Sequence, residues 1–274
     1  MQKSIRKITP RAFETKIPGL TGIDMFHYEF DFEPFLVFTE FHMSRSFFGP
    51  HPHAGVSVMT YMLPDSQGSF LNRDSQGDHS IIEPGGVHVT QTGRGIKHDE
   101  VPTVNGVDCH GFQIWINHAD KDRFIEPRAF HASSKDIPEY KTESVLIRVV
   151  QGKYGELESP IELVTKTSLF DITLQPHASI ELDAKEMAFI YLMKGILNID
   201  DSVIQGTAMV SFEKNGDRIF VKAGSAEANF IFASGTPHNE PIVHGGPFVM
   251  TSQEQMRITQ QRLQRGEMGD LYPL

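Results

Sequence analysis

Two short segments of this chain carry the residue types that metal chemistry uses. Gly49-Pro50-His51-Pro52-His53 places two imidazoles at i and i+2, and Gly93-Arg94-Gly95-Ile96-Lys97-His98-Asp99-Glu100 places an imidazole and a carboxylate at the same spacing. Both stretches read as β-structure, where residues i and i+2 project from one face roughly 6–7 Å apart. Two such pairs on neighbouring strands would surround one ion with three imidazoles and a carboxylate, a donor set that suits Fe, Ni, Cu, Mn or Zn. Four protein ligands in a six-coordinate site leave two open positions, which separates a catalytic site from a closed structural one. A lone H-x-H pair recurs by chance in loops and on solvated strand faces. The second pair, behind a glycine turn that steers the chain sharply, favours a real site.

Strands must position these pairs. Residues 35–39, 56–63, 87–91 and 111–116 are short and rich in β-branched and aromatic side chains, and turn clusters at 64–68, 74–77 and 84–86 bound them. Residues 145–150, 169–174, 188–193, 218–221 and 229–233 continue the pattern. Many short strands at this spacing predict an all-β chain of sandwiches or barrels. One helix is expected near the C-terminus, with Ser252 as N-cap, Gln255 completing a capping box and Gly266 as the stop.

The two halves repeat weakly. A shift of 130 places Tyr61 on Tyr191, Gly86 on Gly216, and residues 59–63 on 189–193, so two tandem β-barrels are expected, connected by the polar stretch 119–142. Under that shift His51, His53, His98 and Glu100 fall on Glu181, Asp183, Ala228 and Phe230, and ten of the thirteen histidines lie at or before His131. The expected domains are therefore residues 1–135, which bind the metal, and residues 136–274, which lack a metal site and carry the C-terminal helix.

Composition excludes some functions. A net charge of −10 with no basic tract argues against nucleic acid as a direct partner. Cys109 stands alone, so no intramolecular disulfide forms, which fits a reducing compartment. No apolar signal segment follows the first residues and no apolar run approaches ~18 residues. The expectation is a cytoplasmic protein without a membrane partner. His42, His79, His110 and His118 have no matching partners and read as surface or core residues. His88, alternating with Val87 and Val89, can face the barrel interior.

The chain also resembles a known family, the pirins, two-domain members of the cupin superfamily. The resemblance rests on Pro50-His51-Pro52-His53, Thr60-Tyr61, Arg73-Asp74-Ser75, Pro84-Gly85, Thr92-Gly93-Arg94-Gly95-Ile96 with His98-Asp99-Glu100, and Gln113-Ile114-Trp115-Ile116-Asn117. Ile137-Pro138, Asn239-Glu240-Pro241-Ile242 and Gly246-Pro247-Phe248-Val249-Met250 follow in the family's order. It implies two tandem antiparallel cupin (jelly-roll) barrels with a C-terminal helix packed on the body. It implies one metal in the first barrel, held by His51, His53, His98 and Glu100, with Fe(II) foremost and Ni, Mn, Cu, Co or Zn as alternatives.

The activity implied is that of a quercetin 2,3-dioxygenase, opening a flavonol-like ring with dioxygen, with Glu100 as the base for the substrate hydroxyl. A small aromatic substrate and dioxygen are then the partners. The alternative implied by other members is an iron- or redox-sensing regulator that acts on a protein partner, a transcription factor or a metabolic enzyme, through its metal-bound surface. Departures are confined to neighbours of the ligands. Ala54-Gly55-Val56-Ser57 stands where the family has Arg-Gly-Phe-Glu, Asn72 where it has His, and His88-Val89-Thr90-Gln91 where it has Gln-Trp-Met. These are expected to alter the walls of the metal cavity.

Overall fold

Side-chain alternation sets the strands. Ser179–Asp183 and Arg218–Ala223 alternate strictly, burying Ile180, Leu182, Ile219, Val221 and Ala223 on one face. Val56–Met62 and Val87–Gln91 are buried at every position, as expected for central strands covered on both faces. The computed structural model describes residues 1–27 and 30–274.

Each half builds the same pair of antiparallel sheets, the tandem cupin architecture. In the leading half, a seven-stranded sheet runs in the order Arg128–Ala132, Val87–Gln91, Val56–Met62, Cys109–Asn117, Phe35–Met43, Leu20–His27 and Glu14–Ile17. Its companion is the four-stranded sheet His51–His53, Ile96–Pro102, Phe70–Asp74 and His79–Ile82. The second half repeats the order with Ile5–Pro10, Ala208–Phe212, Met187–Lys194, Ala228–Gly235, Thr167–Leu174, Val145–Gln151 and Glu139–Lys141. Its four-stranded sheet is Ser179–Asp183, Arg218–Ala223, Ile196–Ile199 and Ser202–Gln205.

This topology corrects the constant shift of 130. Val56–Met62 does correspond to Met187–Lys194, but Ile96–Pro102 corresponds to Arg218–Ala223 and Cys109–Asn117 to Ala228–Gly235. The connections after the first matched strand are shorter in the second half, so the offset shrinks along the chain. Ala228 and Phe230 are thus not the counterparts of His98 and Glu100. The second barrel's inward positions are instead filled by an apolar core that includes Ile180, Leu182, Ile219, Val221, Phe170 and Phe232.

The compact units also differ from two contiguous halves. One comprises residues 13–136, 163–165 and 238–274, and the other residues 1–12, 137–162 and 166–237. The chain passes from one unit to the other at 136/137, and the terminal segments are exchanged between the halves. Ile5–Pro10 pairs with Ala208–Phe212 and covers a sheet edge that would otherwise be open. The helix Gln253–Gln264 packs instead on Val243–Gly245 and Phe248–Met250, within the unit that carries the histidine pairs. Residues 119–142 are not a bare connection, since Arg128–Ala132 and Glu139–Lys141 each join a sheet. The helix begins as expected: Ser252 Oγ accepts from the Gln255 amide at 3.2 Å, while the Gln255 side chain accepts from the Thr251 amide at 2.9 Å.

Two glycines fix the turns beside the histidine pairs. Gly55 has φ +79° and a Cβ there would stand 1.9 Å from Val249 O; Gly93 has φ +45° and a Cβ would stand 2.1 Å from Ile125 O. The Gly55 amide donates to Gly93 O at 2.9 Å, tying the turn after His53 to the turn before His98. Gly93→Ala should lower unfolding free energy by about 2 kcal/mol or more. Gly77→Ala, at φ +99° with open space around it, should cost about 1 kcal/mol. Urea titrations that show equal losses would contradict this role for Gly93.

Candidate metal centre

Register builds the site. His98 lies directly opposite His51, and Ile96 opposite His53, on antiparallel strands. Opposed residues share a face, so three imidazoles gather on one side of the four-stranded sheet. Their ring centroids are 4.8, 4.9 and 4.9 Å apart, with interplanar angles of 78°, 61° and 79°. One ligand nitrogen from each lies within 4.8 Å of the others, and among the described residues no other group of His, Cys, Asp or Glu meets that test.

The remaining ring nitrogens are engaged. His51 Nδ1 is 2.8 Å from Gly49 O, His53 Nδ1 is 3.3 Å from Pro247 O, and His98 Nδ1 is 3.4 Å from Thr90 Oγ1. An Nδ1–H given to a carbonyl fixes the tautomer and leaves the Nε2 lone pair for an ion. Burial, reinforced by His51, pushes His53 down to about 3; burial and the neighbouring imidazoles hold His98 well below the usual histidine value. Both rings are therefore neutral at ordinary pH, the form that binds metal. Neutral, oriented, convergent imidazoles fit a borderline divalent ion.

Glu100 shares the strand of His98 but stands outside the converging group. Its carboxylate accepts from Thr60 Oγ1 and from the Gln113 side chain. Burial raises its pKa to about 7 despite those two donors. In this structure the three imidazoles converge and the carboxyl stands beside them, because a buried carboxylate takes whatever donors lie within reach. All four residues line one cavity of about 500 Å³, whose walls include Val37, Phe41, Phe48, Val58, Phe70 and Trp115. The Trp115 ring meets His53 edge-on at 4.7 Å.

The departures expected to reshape this cavity do not line it. Ala54 is buried in an apolar cluster with Phe248, Met250, Met256 and Met268. Val58 lines the cavity, so Ser57 faces the other way, where its Oγ lies 2.9 Å from His118 Nε2. His88 stands opposite Thr60 and is fully buried, with Asp78 Oδ2 3.8 Å from Nε2. Burial lowers its pKa to about 4. His88 does face the barrel interior, on the same side as Thr60, but does not line the cavity.

Cross-strand pairing also joins histidines that lack partners along the chain. His42 and His110 stack at 4.0 Å, with Asp108 2.7 Å from His42 Nδ1 and Glu40 2.8 Å from His110 Nε2. His118 likewise has its partner in Ser57 on another strand. The spacing of these residues in the sequence carries no trace of either arrangement.

Comparison with known proteins fits this geometry. The family model described as Pirin matches residues 10–116, and that described as Pirin C-terminal cupin domain matches residues 169–269. A pirin-like protein of Arabidopsis thaliana is 34% identical over 270 residues, covering 93% of this chain and 86% of the relative. The chain belongs to the pirin family. Two solved structures share the pirin fold seen here. A quercetin 2,3-dioxygenase from Acinetobacter baumannii superposes with a TM-score of 0.87 at 21% identity, covering 98% of this chain and 99% of its own. A bacterial pirin from Escherichia coli, in complex with nickel(II), gives a TM-score of 0.65 at 18% identity over 85% of this chain and 100% of its own.

The raised pKa of Glu100 gives a signed prediction for the metal-free pirin. A folded value near 7 lies above the ordinary 4.5, so the group's favourable contribution is complete below pH 4.5 and is lost as pH rises to 7. The stability of wild type relative to Glu100→Gln should fall by roughly 3 kcal/mol across that window in chemical unfolding. A difference that stays flat with pH would show that Glu100 ionises as freely as in water.

Proposed function

We propose that this pirin-family protein is a metal-dependent dioxygenase of the quercetin 2,3-dioxygenase type, acting on a flavonol-like aromatic substrate. The observation that carries this reading is the cavity itself. Three convergent imidazoles, of which His53 and His98 are held neutral by burial, and a carboxyl with a pKa of about 7 meet at the wall of an apolar chamber of about 500 Å³. In this reading His51, His53 and His98 hold one divalent transition metal, with Fe(II) foremost, and Glu100 serves as fourth donor and as base. The nickel in the Escherichia coli pirin supports a divalent ion. Such an ion would supply Lewis acidity and a meeting point for substrate and dioxygen.

The chain's own residues would do the rest. Val37, Phe41, Phe48 and Trp115 offer apolar surface for an aromatic ring and exclude water from it. Thr60 and Gln113 orient the Glu100 carboxyl. In the metal-free site burial holds this carboxyl near pKa 7; a bound cation would favour its ionised form, the form that takes an enolic proton as a general base. Among the described residues no helix is long and apolar enough to cross a membrane. A cytoplasmic site of action is part of the proposal and rests on the sequence.

Protein loaded anaerobically with Fe(II), and in parallel with Ni(II), Mn(II) or Co(II), should consume quercetin only when dioxygen is admitted, read as loss of flavonol absorbance. Glu100→Gln should lower kcat by about 100-fold. His98→Ala should lose most of its bound metal by elemental analysis. Absence of oxygen-dependent consumption with every metal would sink the dioxygenase reading.

A further inference from the structure

The cavity has a second polar end, on the last three strands of the seven-stranded sheet. Thr39 and Asp24 stand directly opposite each other on Phe35–Met43 and Leu20–His27, and Thr39 Oγ1 donates to Asp24 Oδ1 at 2.8 Å. Lys16, on Glu14–Ile17, places Nζ 3.1 Å from Asp24 Oδ2 and 3.2 Å from Glu14 Oε2. Lys16, Asp24 and Thr39 all line the cavity. Lys16 and Asp24 keep 40% and 45% of their side-chain surface exposed, so they stand at its mouth.

Sheet order sets the distance between the two ends. Trp115, which touches His53, lies on Cys109–Asn117; Asp24 is two strands away and Lys16 three. At about 4.8 Å per strand, the polar mouth lies roughly 10–14 Å from Trp115. Val37 and Phe41, on the intervening strand Phe35–Met43, supply apolar wall between them. A ligand that spans the cavity therefore meets metal donors at one end, apolar surface in the middle and a fixed ion pair at the other.

The charge at the mouth narrows the ligand. One ammonium faces two carboxylates, Asp24 and Glu14, so the trio is net negative and disfavours an anionic tail. Hydrogen bonds to Asp24 and Glu14 raise Lys16 above its ordinary value. Although burial works against it, Thr39 and Lys16 hold Asp24 below its own. A hydroxyl group satisfies both partners, donating to a carboxylate oxygen and accepting from the ammonium.

We propose that Lys16 and Asp24 are specificity-determining residues that select an aromatic substrate bearing uncharged hydroxyl groups at the end remote from the imidazoles. This rests on the dioxygenase reading of the same cavity. Quercetin, which carries two hydroxyls on its remote ring, and 3-hydroxyflavone, which shares the enol–ketone end and carries no other hydroxyl, are suitable probes. Each is titrated anaerobically into metal-loaded protein and followed by absorbance.

Wild type should bind quercetin roughly tenfold more tightly than 3-hydroxyflavone. Asp24→Asn and Lys16→Met should each reduce that preference to about twofold, leaving 3-hydroxyflavone affinity as in wild type. The unchanged affinity shows that the variants remain folded. If wild type binds both flavonols and neither variant alters the preference, this assignment is overturned while the dioxygenase reading stands. If wild type binds neither flavonol, the dioxygenase reading itself falls, and the assignment with it.

Discussion

The antiparallel register between His51–His53 and Ile96–Pro102 is the constraint on which the site depends. It sets His98 against His51 and leaves His53 one step along on the same face. A slip of one residue would turn His98 to the opposite side of its sheet. Gly55 and Gly93 guard against that slip, because the turns that end one strand and begin the other are bonded to each other. Arg123, fully buried, donates to both Gly55 O and Val249 O and so fastens this junction to the segment before the C-terminal helix.

The two barrels share a topology and differ in what fills them. In the second, the strands equivalent to those of the metal pairs turn Ile180, Leu182, Ile219 and Val221 inward, and the interior closes as an apolar core. In the first, inward positions of the corresponding strands carry imidazoles and a carboxyl, groups too costly to bury against hydrocarbon without partners. The cavity answers that cost. Polar tips meet one another and a space of about 500 Å³, while their strands stay packed. The converging histidines are confined to one copy of a repeated architecture by the identity of a few inward side chains.

Much of this was legible in the sequence. The i and i+2 spacing of His51/His53 and of His98/Glu100, with the glycine turn before the second pair, pointed to neighbouring strands. Alternation and turn chemistry marked most of the sheet, and Ser252, Gln255 and Gly266 bounded the helix. What was not legible depends on pairing across strands. A constant repeat shift cannot follow connections that shorten in one half, so it misplaced the counterparts of His98 and Glu100. Departures adjacent to ligands in sequence, Ala54 and Ser57, point away from the cavity because neighbouring residues on a strand face opposite sides. The His42–His110 stack and the polar mouth at Lys16 and Asp24 arise from residues far apart in the chain.

In the proposed site three imidazoles converge on one ion. The most direct measurement is X-ray absorption at the nickel K-edge of protein loaded with one equivalent of Ni(II), with the outer-shell scattering used to count imidazoles. Three imidazoles should be bound at about 2.0–2.1 Å, the usual span for a metal–histidine nitrogen, with the remaining positions held by oxygen. A count of one imidazole or none, or loading that leaves the nickel fully hydrated, would contradict it.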